Sequence, residues 1–149
     1  MEKTAEDILA ERLATAKTVG LVGVGKLGTR LRELAEKKGV KTLRCDPPRN
    51  LDEATELGES FCSWWGNGMG GCELTGEGLE TFLPLDSLAA ADVICIQVPL
   101  TDEKPFPTVG MITADWLSKC RPDTCIICFS SREVVAEDVR GDSRIHFIE

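Results

Sequence analysis

The chain has 149 residues, 42% hydrophobic and 28% charged, a globular balance that argues against disorder and for one domain. Seventeen Lys and Arg stand against 25 Asp and Glu, for a net charge of −8. That surface repels phosphate backbones and anionic lipids, which disfavours nucleic-acid or anionic-membrane binding as the main role. No apolar run reaches the roughly 20 residues that span a bilayer, and the amino terminus lacks a signal-peptide core, so the expected location is cytoplasmic.

Residues 3–16 read as a helix, with Ile8, Leu9, Leu13 and Ala16 at helical spacing and Thr4 as cap. Thr18 to Val22 is a short β-rich run and a buried-strand candidate. The glycine-rich run Gly23-Val24-Gly25-Lys26-Leu27-Gly28 follows at once. From Leu27 to Lys38 the period becomes helical, with Leu27, Leu31, Leu34 and Ala35 on one stripe and Gly39 as the stop. Residues 40–45 form a second strand, ended by Asp46-Pro47-Pro48 because proline cannot continue a ladder.

Residues 50–80 lack regular pattern apart from a candidate helix at 51–57. The Gly/Trp-rich stretch around Trp64 and Trp65 reads as a surface excursion. A short strand is expected at 81–84, a helix capped by Asp86 at 86–91, and the clearest strand at 92–98. A proline-bearing loop leads to a helix at 113–119 with Thr113 as cap. A buried strand at 124–129, a short helix at 133–139 and a last strand at 145–148 complete the chain. Strands apolar on both faces, alternating with helices, indicate a Rossmann-type α/β fold. It is a doubly wound, mostly parallel sheet with helices on both faces.

Seven cysteines, at 45, 62, 72, 95, 120, 125 and 128, are an odd number for a disulfide framework and fit reduced thiols. Cys125 and Cys128 have the spacing of a redox or zinc pair. On a strand, though, positions i and i+3 face opposite ways, so the sulfurs cannot meet. Cys62 and Cys72 lack a second ligand pair, and no metal site is expected.

The glycine run leaves a strand and opens a helix, the context in which it binds a dinucleotide. Gly23 makes the tight turn, Gly25 leaves room for a pyrophosphate, and Gly28 lets the helix pack close to the strand. The N–H groups near Lys26 and Leu27 face the phosphates, aided by the helix dipole. Asp46, 18 residues after Gly28, accepts hydrogen bonds from an adenosine ribose and repels a 2′-phosphate, favouring NAD over NADP. Arg44 and Arg49 beside it pull the other way. Val98, Pro99 and Thr101 end the clearest strand, either lining a nicotinamide pocket or only stopping the strand. Ser130, Ser131 and Arg132 follow the 124–129 strand at the same sheet edge. Arg132 is placed either to grip a substrate carboxylate or to form a surface ion pair. Trp64 and Trp65 offer a contact surface or a satellite core. His146 offers a general base or a structural imidazole.

These stretches, with Leu85-Asp86-Ser87-Leu88, Ala91-Asp92-Val93-Ile94, Val98-Pro99-Leu100-Thr101, Pro107-Thr108 and Ser131-Arg132, resemble the nucleotide-binding domain of the D-isomer-specific 2-hydroxyacid dehydrogenases. The double proline after Asp46 and the Pro-Thr step point to their erythronate-4-phosphate dehydrogenase branch. The resemblance implies residues 18–149 as an NAD-binding domain, preceded by a helix at 1–17 and carrying an insertion at about 58–80, with Ser130 and Ser131 beside the cofactor. It implies hydride transfer between a small 2-hydroxy acid and NAD in the complete enzyme, and pairing as a homodimer, with the 3–16 helix and Ile8, Leu9 and Leu13 as a candidate contact.

Arg132 matches the arginine of the family's Arg, Glu and His set. Neither Glu149 nor His146 falls in the motifs of the other two, and the substrate-binding domain has no counterpart in these residues. Phe129 stands where the family often has Asn, and Glu133 where it usually has Gly. The alternative is a non-catalytic NAD(H)-binding or regulatory module.

Overall fold

A computed structural model describes residues 4–23, 25–45, 85–102 and 107–148. Asp46, Val24, Arg49, the tryptophan pair, Cys62, Cys72, the 58–80 insertion, the 51–57 helix and the 81–84 strand lie outside them. The elements are α1 (Ala5–Leu13), β1 (Thr18–Val22), α2 (Lys26–Lys37), β2 (Lys41–Cys45), α3 (Leu85–Leu88), β3 (Val93–Ile96), α4 (Ala114–Lys119), β4 (Cys125–Cys128) and β5 (Ile145–Phe147).

Among the described residues five strands pair in parallel, in the order β2-β1-β3-β4-β5. β1 lies between β2, in register Val22↔Cys45, and β3, in register Val22↔Ile96. The chain thus leaves β1 towards one edge and later builds towards the other. Right-handed crossovers then put the connecting helices on opposite faces, and the two cores show this. Val19, Leu21, Val93, Cys95 and Ile127 pack with Leu9 and Leu13 of α1 and Leu31 and Ala35 of α2. The alternate residues Val22, Ile94, Ile96, Ile126 and Cys128 pack with Leu85, Leu88, Trp116 and Leu117 of α3 and α4. The doubly wound α/β expectation holds.

The same alternation separates Cys125 from Cys128, which join opposite cores. The described cysteines are free thiols. Burial pushes the Cys120 thiol up to about 11 and raises that of Cys95 further.

Local chemistry sets the helix ends. Thr4 and Asp7 form a reciprocal capping box on α1. Thr113 Oγ1 accepts the Trp116 N–H at 3.1 Å to cap α4. Arg144 closes the other end of α4, donating to the carbonyls of Leu117 at 2.9 Å and Cys120 at 3.3 Å while Asp142 holds its fork. Trp116 is fully buried and satisfies its indole N–H on the Leu85 carbonyl at 2.9 Å.

Three expectations are corrected. Asp86 lies inside the first turn of α3 rather than capping it. The helix expected at 133–139 is two 3-10 turns, Arg132–Val134 and Glu137–Val139. Adjacent Val134 and Val135 are both buried, and Val135 bridges to Ile112, which draws the backbone out between the turns. The apolar face of α1 does not need a dimer partner to bury it. Leu9 is 0% and Leu13 4% exposed because they pack on the chain's own sheet, so α1 is part of the α/β unit.

Candidate functional site

The carboxyl ends of β1, β2, β3 and β4 share one edge, where the order reverses at β1, and open α/β sheets bind ligands at such a point. Gly23 follows β1 with φ of +91°, a backbone that side chains rarely adopt. Its N–H donates to the Cys45 carbonyl at 2.8 Å, tying the turn to the end of β2. A Cβ on Gly23 would lie 2.7 Å from the Gln97 carbonyl oxygen, and one on Gly28 would lie 2.3 Å from the Gly23 carbonyl oxygen. Neither side chain fits. Among the described residues a Cβ on Gly25 would meet nothing within 4 Å, so the described part of the turn is packed at Gly23 and Gly28 and not at Gly25.

Gly25 is the N-cap of α2. Among the described residues no side chain caps that end, and its first turn holds no acidic residue. Lys26 is exposed and Leu27 half-buried. The arrangement leaves amide groups and a positive helix end that no described residue covers at Gly25, which suits a diphosphate. Asp46 is the residue after Cys45, whose carbonyl receives the Gly23 N–H. Arg44, only 4% exposed, is buried on β2.

Gln97 escaped the sequence reading, where it was only the penultimate residue of a strand. In the fold β3 ends at Ile96, and the Gln97 side-chain amide donates to the Gly23 carbonyl at 2.6 Å. A polar residue at a strand end carries no sequence signal of a partner 74 residues away.

Across the edge, the Val98 N–H donates to Ser130 Oγ at 2.7 Å, locking the segment after β3 to the segment after β4. Thr108 organises the following loop. Its hydroxyl donates to the Pro99 carbonyl at 2.6 Å and accepts the Thr101 N–H at 2.9 Å. Ser131 caps the Arg132–Val134 turn, with its side chain accepting from Glu133 N at 3.4 Å. Arg132 is exposed, and its guanidinium carbon lies 4.5 Å from the centre of the Phe147 ring, a cation–π stack that aligns the fork. Val98, Pro99, Thr101, Ser130, Ser131 and Arg132 are thus all beyond the strand ends at the edge that carries the glycine turn. His146 is exposed on β5, one residue from Phe147, and so projects from the other face of the strand.

The opposite, amino-terminal edge holds a pocket of about 230 Å³ lined in part by Arg12, Thr15, Asp92, Arg121 and Asp123. Its charges answer each other, Arg121 pairing with both Asp92 and Asp123. Asp92 also accepts the N–H groups of Lys17 at 2.8 Å and Thr18 at 3.0 Å. The Arg121 guanidinium, and next the Lys17 N–H, hold its carboxyl down at about 2. Asp92 is a staple between α1, β1 and β3 rather than a reactive group. Among the described residues no cluster of His, Cys, Asp and Glu is arranged to hold a metal, and no helix is long and apolar enough to cross a membrane.

No family model matches the chain. Its sequence is 36% identical over 124 residues to the erythronate-4-phosphate dehydrogenase of Klebsiella pneumoniae, covering 80% of this chain and 26% of that enzyme. The chain therefore spans about a quarter of the length of the curated relative. Its fold matches an NAD+-bound 3-phosphoglycerate dehydrogenase of Entamoeba histolytica with a TM-score of 0.57, at 23% identity, over 88% of this chain and 35% of that one. It also matches a D-isomer-specific 2-hydroxyacid dehydrogenase of Lactobacillus delbrueckii ssp. bulgaricus in its NAD-complexed form. That match has a TM-score of 0.56, at 19% identity, over 89% and 35% of the two chains. The chain is thus related by sequence to the erythronate-4-phosphate dehydrogenases, and it has the Rossmann-type α/β fold of the D-isomer-specific 2-hydroxyacid dehydrogenases.

Proposed function

We propose that this chain is the NAD(H)-binding unit of a D-2-hydroxyacid dehydrogenase-like oxidoreductase of the erythronate-4-phosphate type. The observation that carries the reading is the glycine turn. Gly28 lies so close to the Gly23 carbonyl that α2 presents its amino terminus at the switch point, with no described residue filling the space at Gly25. A dinucleotide fits these residues. The amides of Gly25, Lys26, Leu27 and Gly28 receive the diphosphate, with Gly23 shaping the turn. The Asp46 carboxylate takes the adenosine ribose hydroxyls. Val98, Pro99, Thr101, Ser130 and Ser131 line the other side of the cleft, towards the nicotinamide.

When bound, NAD supplies the hydride acceptor. The substrate is a small 2-hydroxy acid. Arg132, aligned by Phe147, grips its carboxylate as a bidentate pair and draws charge from the 2-oxygen. The complete enzyme supplies the acid–base group and the substrate domain. The same reading places the protein in the cytoplasm as a homodimer, without nucleic-acid or membrane partners.

Titration calorimetry with NAD and NADP tests it. The expected result is saturable binding of NAD, tighter than that of NADP. No binding of either overturns the reading, and a monomer by light scattering at high micromolar concentration removes the dimer from it.

A further inference from the structure

We infer that Gln97 is a positioning residue for the dinucleotide, holding the phosphate-binding turn by its side-chain amide; the inference rests on the NAD(H)-binding reading above. The turn is built around this residue. The Gln97 N–H donates to the Val22 carbonyl at 2.9 Å, which carries the backbone past the end of β3. The Gln97 carbonyl fills the space where a Gly23 side chain would stand. Its side-chain amide then reaches back 2.6 Å to the Gly23 carbonyl oxygen. That same oxygen is the atom against which Gly28 packs, and Gln97 Nε2 lies 3.4 Å from where a Gly28 Cβ would be. One amide nitrogen thus fixes the carbonyl between β1 and α2 and touches the helix turn that seats on it.

The chemistry of the contact points the same way. A carbonyl oxygen only accepts, so the amide must present its nitrogen to Gly23. Gln97 Oε1 is then buried with no hydrogen-bond partner among the described residues. An unanswered buried oxygen is costly, and an apolar side chain of similar size would avoid that cost. What glutamine adds is the donor to Gly23, whose geometry sets where the amides at Gly25 to Gly28 point.

The test compares wild type with Gln97→Glu and Gln97→Met in NAD+ titrations, with circular dichroism at each pH to show that the fold is retained. Gln97→Glu is nearly isosteric but places a carboxylate against the Gly23 carbonyl and close to the diphosphate. At pH 8 it should bind NAD+ at least tenfold more weakly than wild type. As the pH falls towards 5, the introduced carboxylate takes up a proton and becomes an O–H donor. Affinity should then recover, while the wild-type affinity changes far less. Gln97→Met has no donor at any pH, so it should be similarly weak and show no recovery. It also carries the test if Gln97→Glu does not fold.

A general loss of stability would not produce recovery in Gln97→Glu and none in Gln97→Met. Wild-type affinity in either folded variant at pH 8 overturns the inference while leaving the NAD(H) reading intact. Failure of wild type to bind NAD+ overturns both.

Discussion

A methyl group on residue 28 would sit 2.3 Å from the Gly23 carbonyl oxygen, whereas one on residue 25 would touch nothing within 4 Å among the described residues. Packing and ligand space are therefore assigned to different glycines, and the two Ala substitutions should separate. Gly28→Ala forces α2 off the turn and should destabilise the fold by about 1–3 kcal/mol, the usual range for overpacking. Gly25→Ala should leave stability within about 1 kcal/mol of wild type while weakening NAD binding tenfold or more, because the new methyl occupies the space of the diphosphate. Urea denaturation and calorimetry together check the pair.

The preference for NAD over NADP is expected to depend on Asp46. Asp46→Ala should weaken NAD and relieve the repulsion of a 2′-phosphate, narrowing the ratio of the two affinities by about an order of magnitude, which corresponds to about 1.4 kcal/mol. Parallel titrations measure it. Equal affinities in wild type would assign the choice to a cation near the ribose. Arg44 is a poor candidate for that role, being buried on β2.

Asp92 should make stability depend on pH in the acid range. Its carboxyl is held at about 2 against an ordinary 3.8, so the folded state binds its proton less readily than the unfolded chain. The stabilisation is complete above about 4 and declines as the pH falls towards 2. At pH 7, Asp92→Ala strips an acceptor from the Lys17 and Thr18 N–H groups and a partner from Arg121. The cost should be about 1–3 kcal/mol. Denaturation curves at pH 7 and pH 2.5 should show the gap between variant and wild type shrinking at the lower value.

The 149 residues, assayed alone with NAD and a panel of 2-hydroxy acids including 4-phosphoerythronate, should show no enzymatic turnover in NADH absorbance. Arg132 contributes substrate positioning, but a base for the hydroxyl proton is typically worth about 10²–10⁴-fold. His146 lies exposed on the face of β5 away from the Phe147–Arg132 stack. Turnover that disappears in His146→Ala would identify that imidazole as the base.

The sequence reveals most where one residue type has one physical use. Apolar runs such as Val93 to Ile96 have to be buried strands. Gly23 and Gly28 sit where any side chain would collide. Cys125 and Cys128 diverge because a strand has a period of two. Contacts that join distant polar residues are invisible at this level. Gln97 meets Gly23 across 74 residues, Val98 meets Ser130 across 32, and Arg144 meets Leu117 across 27. Glutamine, serine and arginine each have many exposed uses, so nothing local singles out these partners. The 133–139 segment departs from expectation for another reason. A short helix is expected there, but adjacent Val134 and Val135 are both buried, and the bridge from Val135 to Ile112 goes with tight turns in place of a continuous helix.

The Asp92 staple also bears on the order in which the chain folds. β1 and β2 are joined by one short helix, so they can meet early. Pairing β1 with β3 requires the Thr18 and Asp92 regions to find each other across 74 residues, a closure whose entropic cost must be met before any of its contacts form. If that pairing follows the rate-limiting step, weakening Asp92 accelerates unfolding more than it slows folding. The seam between β1 and β3, through which the glycine turn is held to the rest of the sheet, is then the part of the protein that governs how long the native state persists.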